Sequence, residues 1–190
     1  MRYEFVGVLN DLVDYFLVGD VLLLQRYKEE NCLADDLASE FVSGDSADKA
    51  VRDGIVIPLA GIENYPYTVI FSLSGDVPEL FKPESRLQHW RGGYVMRVEN
   101  RSVLLFTWRI LQNFTRPAVG TLLDRYRSQG RPMIEIENGF YDVEVLGGEV
   151  LREGSYEPAF EFVVTKKAEN GCVASQTDIN YRFSIDSRTY

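Results

Sequence analysis

The chain has 190 residues and 21.7 kDa, with 45% hydrophobic and 26% charged residues, so it is long and apolar enough to bury a core without staples and is not a disordered segment. Twenty basic residues against 29 acidic ones leave a net charge of −9 and a pI near 4.7. That balance sets the surface against nucleic-acid backbones and anionic membranes, which both call for excess Lys and Arg, and favours a basic partner or plain solubility.

Strand signals dominate in chain order. The apolar run at 15–24, broken at Gly19-Asp20, reads as strand with a turn or bulge. Leu33, Leu37 and Phe41 recur every four residues with Asp35, Asp36 and Glu40 between them, which predicts a helix with one apolar stripe and an acidic back. Residues 45–52 predict a second helix, with Asp45 as N-cap candidate and Gly54 as its stop. Residues 55–57 form a strand ended by Pro58, and 67–73 a strand ended by a polar turn at 74–76. Residues 93–98 and 102–108 read as a hairpin turning at 99–101. A third helix is expected at 115–127, ending before Gly130, and 160–165 and 180–185 read as closing strands.

Residues 133–145 carry the sharpest local signal, because Asn138-Gly139 between alternating runs favours a two-residue hairpin turn. Such a turn sets Glu137 opposite Phe140, Ile136 opposite Tyr141, Glu135 opposite Asp142 and Ile134 opposite Val143. Ile134, Ile136, Tyr141 and Val143 then face the core. Glu135, Glu137, Phe140, Asp142 and Glu144 share the outer face. Like charges directly opposite one another are unfavourable. Either Arg97, Arg101 or Arg109 on a neighbouring strand neutralises them, or solvent screens them, or the face meets a basic partner with Phe140 as its apolar anchor.

Charge is unevenly spread. Residues 1–90 carry net −9, 91–130 net +5 and 131–190 net −5, and every cation of the middle block is Arg. Internal pairing between blocks explains this more simply than a nucleic-acid patch. Cys32 and Cys172 form no CxxC, and no Cys/His cluster, P-loop or nucleophile elbow occurs, so neither metal, cofactor nor catalytic residue is expected. The single histidine, His89, reads as structural. The N-terminus lacks a signal-peptide pattern and no apolar run approaches the ~20 residues of a membrane span, so a cytoplasmic protein is expected. A helix–Gly–strand–turn–Tyr-strand–Gly order at 48–75 recurs at 123–147, which fits a single domain over 1–190 built from two pseudo-repeated halves, about 1–90 and 91–165, or a coincidence of turn residues.

The segment from Ser46 to Leu73 and the hairpin at 133–145, with its tyrosine-bearing part Ile136–Tyr141, resemble the competence nuclease-inhibitor proteins, small β-rich bacterial inhibitors of a DNA-entry nuclease. The shared features are the short acidic helix running into Gly54, the strand beginning at Ile55 and the apolar strand at 69–73. The family tends to place Pro where Glu137 stands, and the first 14 and last 30 or so residues lie outside the likeness. The resemblance implies an acidic β-protein that binds and blocks a basic nuclease or toxin. The expected fold is mainly β, an antiparallel sandwich or partly open barrel with two or three short helices. The expected function is non-catalytic occlusion of a basic protein, with no nucleic acid or membrane bound directly, through Glu135, Glu137, Phe140, Asp142 and Glu144, joined by Asp35, Asp36 and Glu40. A carbohydrate- or small-ligand-binding or -hydrolysing sandwich that uses a carboxylate pair beside Trp90 or Trp108 is the alternative, and an assembly subunit a third.

Overall fold

In a computed structural model, residues 1–73, 75, 77–168 and 181–187 are described. Nine strands alternate with four α-helices among them. The strands are β1 (Arg2–Val8), β2 (Tyr15–Gly19), β3 (Val56–Ala60), β4 (Tyr67–Leu73), β5 (Arg86–Val98), β6 (Ser102–Thr107), β7 (Met133–Glu135), β8 (Gly139–Arg152) and β9 (Ser155–Lys166). The helices are α1 (Val21–Glu30), α2 (Leu37–Ser43), α3 (Ser46–Arg52) and α4 (Arg116–Ser128), with 3-10 turns at Glu79–Phe81 and Trp108–Asn113. Five strands form one sheet in the order β1-β4-β9-β8-β5 and four form the other in the order β3-β2-β6-β7. All pairs are antiparallel except β4 with β9. The class is mainly β with short helices, and neither sheet closes into a barrel.

Three layers result from where each side chain is buried. Phe16 and Val18 of β2 and Val103 and Leu105 of β6 meet Val69, Phe71, Phe160 and Phe162 of the five-stranded sheet in the inter-sheet core. The alternate residues of the same strands, Leu17, Leu104 and Phe106, turn to the other side and pack on the helices. The four-stranded sheet is therefore apolar on both faces, which is why β6 reads as an unbroken apolar run and not as an alternation.

The run at 15–24 is not two strand pieces. β2 stops at Gly19 and Asp20 starts α1, its carboxylate accepting the Leu22 and Leu23 backbone N–H groups at 3.1 Å each. Four apolar residues in a row cannot tell a strand from a buried first helical turn, and here the cap decides. The three expected helices correspond to α2, α3 and α4, and α1 adds a fourth. Asp36 is the N-cap of α2, which leaves Leu33 in the segment before the helix.

Both expected hairpins are sheet-to-sheet crossings. β5 lies in one sheet and β6 in the other, and β7 and β8 divide in the same way. The two corners are sewn together. Ile136 N–H donates to the Arg101 carbonyl at 3.1 Å, and Arg101 N–H donates to Asn138 Oδ1 at 2.9 Å. Ile134, Ile136, Tyr141 and Val143 do enter the core together, but from opposite sheets. The alternation assigned the inward face correctly and the pairing partner wrongly.

Residue 180 lies outside the described residues. Within 181–187 the chain makes a single bridge, Arg182 to Ala60, and plugs the open end of the inter-sheet core with Phe183 and Ile185. His89 serves this plug, with Nε2 donating to the Ser184 carbonyl and Nδ1 2.7 Å from the Tyr181 hydroxyl. Cys172 also lies outside the described residues, and Cys32 is an exposed free thiol. No helix among the described residues is long and apolar enough to cross a membrane.

Candidate binding surface

The crossing at 136–138 breaks up the expected acidic hairpin face. Glu135 sits on β7 opposite Ser102, whereas Asp142 sits on β8 between Val95 and Thr165 in the other sheet. The like-charge pair therefore does not form. Phe140, Asp142 and Glu144 do share the outer face of the five-stranded sheet, two residues apart along β8. Two acids of the expected face, Glu137 and Asp142, pair with lysines at the end of β9, and Arg101 adds a weaker pull on Glu137. Lys166 pairs with Glu137 and holds its carboxyl below the usual carboxylate range, and Lys167 Nζ lies 2.7 Å from Asp142. Glu144 accepts the Trp90 indole N–H at 2.5 Å. Phe140 is half-buried, with the Arg97 guanidinium 5.9 Å from its ring centre, and Arg97 itself pairs with Glu99.

The acidic residues of the helical layer have a different fate. Asp36 accepts the Ser39 hydroxyl at 2.6 Å and the Ser39 backbone N–H at 3.2 Å, bonds that hold its carboxyl below the ordinary range and keep it charged. Glu40 reaches back to the Ala34 N–H at 3.2 Å. Asp35 pairs with Lys28, whose ammonium also donates to the Phe114 carbonyl at 2.8 Å. Asp45, Asp48 and Asp53 follow on the exposed side of α3 and its flanks. Residues 35–53 thus carry six carboxylates against Lys49 and Arg52.

Beside this face runs an apolar groove of about 280 Å³, walled by Val13, Tyr15, Val42, Ala47, Pro58 and Trp108 with Asp48 on its rim. Tyr15 and Trp108 pack at 5.2 Å between ring centroids. Val42 stands 77% exposed next to buried Phe41. The groove opens at β3, the edge of the four-stranded sheet, where Pro58 offers no N–H for another strand to pair with. Sequence reading missed this groove. One signal was present: successive helical residues point about 100° apart, so with Phe41 inward Val42 falls on the acidic back.

Two solved structures show a distant likeness to this chain. "Crocagin biosynthetic gene J" is similar over 88% of this chain and 98% of its own, at 10% identity and a TM-score of 0.49. ComJ from Bacillus subtilis, described as an inhibitor of the DNA-degrading activity of NucA, is similar over 88% of this chain and 96% of its own, at 11% identity and a TM-score of 0.45. No protein-family model and no curated protein matches it.

The hydrolytic alternative needs two carboxylates and a tryptophan around one concavity. The Trp108 groove is lined by one carboxylate, Asp48. Trp90 lies 60% exposed on the outer sheet face, edge-on to Phe81 at 5.2 Å and bonded to Glu144.

Proposed function

We propose that this is a non-catalytic binding protein that occludes a basic partner, a nuclease or another toxin, in the manner of an inhibitor or immunity protein. The observation that carries the reading is Val42, an exposed apolar residue set between the carboxylates of α2–α3 and the aromatic wall of the Trp108 groove. An apolar groove supplies affinity by excluding water from a few side chains, while charges on its rim set the rate of encounter and the choice of partner. The partner of matching chemistry presents an apolar side chain flanked by Lys or Arg. Asp35, Asp36 and Glu40 act in the acidic rim with Asp45, Asp48 and Asp53. The helical layer and the outer face of the five-stranded sheet lie on opposite sides of the three layers, and Lys166 and Lys167 already pair with Glu137 and Asp142. We take the helical side as the docking side; Phe140, Asp142 and Glu144 lie on the opposite outer face, Glu137 lies in the crossing, and Glu135 on β7 alternates with inward Ile134.

The test is affinity capture from the native host at low and high salt, followed by purification of any retained basic protein and a DNA-degradation assay on it. We expect a basic protein whose activity stops when the chain binds, and whose affinity drops at least tenfold with Val42→Asp, about 1.4 kcal/mol. Recovery of no basic protein at either salt, or full affinity in Val42→Asp, would overturn the reading.

A further inference from the structure

The arginine-rich block is only partly neutralised within the fold. Arg97 pairs with Glu99, Arg116 grips Glu29 with two bonds of 2.6 Å, and Arg127 lies 4.0 Å from Asp124. Arg91 stacks on Tyr181 with its guanidinium 3.8 Å from the ring centre. Arg109 and Arg125 have no ion pair among the described residues, and neither has Arg131 just beyond the block. These three line one cleft of about 620 Å³ between the end of β1, the 3-10 turn after β6 and the last turns of α4. A chain with nine more acids than bases has carboxylates to spare, so three unpaired guanidinium groups around one cavity stand out against the rest of the surface.

The cleft has further definition. Gln129 Oε1 accepts from Arg131 Nε at 2.9 Å, which fixes the guanidinium and leaves its two terminal nitrogens free to donate. Tyr126 and Leu122 form an apolar floor, and Val6 and Leu9 a wall. Asp11 is the one acid lining the cleft. Its Oδ2 accepts the Arg109 backbone N–H at 2.9 Å, while its Oδ1 is buried with no hydrogen-bond partner. A buried carboxylate oxygen without a donor is costly, and a ligand N–H or O–H satisfies it. The volume falls within the range of small-molecule sites, and guanidinium forks match the oxygens of phosphate and carboxylate groups.

We propose that this cleft binds a small multivalent oxyanion that also carries an apolar or ring portion and a hydrogen-bond donor. Arg109, Arg125 and Arg131 hold the anionic end, Tyr126 and Leu122 face the body, and Asp11 takes the donor. The site shares no side chain with the Val42 groove and stands or falls separately from the proposed docking.

The experiment is isothermal titration calorimetry of the full chain with ADP, inorganic pyrophosphate and citrate. Saturable 1:1 binding of at least one is expected, weakened at least tenfold by Arg125→Ala and by Arg131→Ala and less than twofold by Arg127→Ala, whose side chain lies outside the cleft. All three side chains are exposed, and melting temperatures within a degree of wild type check that the variants fold. Binding of ADP or pyrophosphate without citrate assigns the site to phosphate, and citrate alone assigns it to polycarboxylates. No saturable binding of any probe, or equal weakening by Arg127→Ala, overturns the proposal.

Discussion

Asp20 does more than end a strand. Its side chain is fully buried, caps α1 through two backbone N–H groups, and accepts the backbone N–H of Glu99 and Asn100 at 2.9 and 2.8 Å from the β5–β6 corner. One carboxylate thus ties a helix start to a sheet crossing. Asp20→Ala leaves several buried donors unsatisfied and should cost about 3 kcal/mol in urea unfolding with an unchanged slope. A loss below about 1 kcal/mol would show that water replaces the carboxylate. Glu161 plays the same part on the outer sheet face. It is fully buried on β9 and accepts the Ser72 hydroxyl and the backbone N–H groups of Glu79 and Leu80 at 2.5, 3.0 and 2.8 Å. It pins the turn Glu79–Phe81 over Ile70, Leu146 and Val150. With Glu161→Ala, hydrogen exchange at the Glu79 and Leu80 amides should accelerate well beyond the global change. Uniform acceleration across the sheet would argue against a local pin.

At the scale of elements, the helical layer is held to itself by a clasp between α1 and α4. Arg116 and Gln25 hold the Glu29 carboxyl down to about 2, against an ordinary value of 4.5. A carboxyl whose pKa is lower in the folded chain than in the unfolded one contributes stability above the unfolded value and loses it as pH falls through the folded one. The clasp should therefore hold above about pH 4.5 and fail toward pH 2. The melting temperature of Glu29→Gln should fall less than that of wild type across this window. Parallel curves would show that the exposed pair contributes nothing to stability, as many surface pairs do. The two corners matter at the same scale, since each sends one strand to either sheet and so sets which face of the sandwich an acid occupies.

The whole molecule is a sandwich with one face covered by helices, and its charge is unevenly divided over the surface. The order outer-sheet strand, inner-sheet strand, helix, inner-sheet strand, outer-sheet strand runs twice, through β1, β2, α1–α3, β3 and β4 and again through β5, β6, α4, β7 and β8. The two passes meet where β2 pairs with β6. The carboxylates of α2–α3 fall in the first pass and the unpaired arginines mainly in the second. If the acidic rim steers a basic partner, raising ionic strength should slow association while dissociation stays nearly constant. Stopped-flow or surface-based kinetics separate the two rates, and a salt effect confined to dissociation would reject steering.

Composition and periodicity determined the mainly-β class, the inward residues of the 133–145 segment, α2, α3 and α4, and the acidic character of the α2 region. These are local or additive properties, read from a window of a few residues. Tertiary structure alone decided that 133–145 and 93–108 turn between sheets, because a turn signal fixes a change of direction and not the strand that will pair beyond it. It also decided that lysines at the end of β9 claim Glu137 and Asp142, that Val13, Val42 and Trp108 wall one groove, and that Arg109, Arg125 and Arg131 share one cleft. Most of those neighbours lie tens of residues apart in the chain, and only the tertiary packing of sheets and helices brings them together.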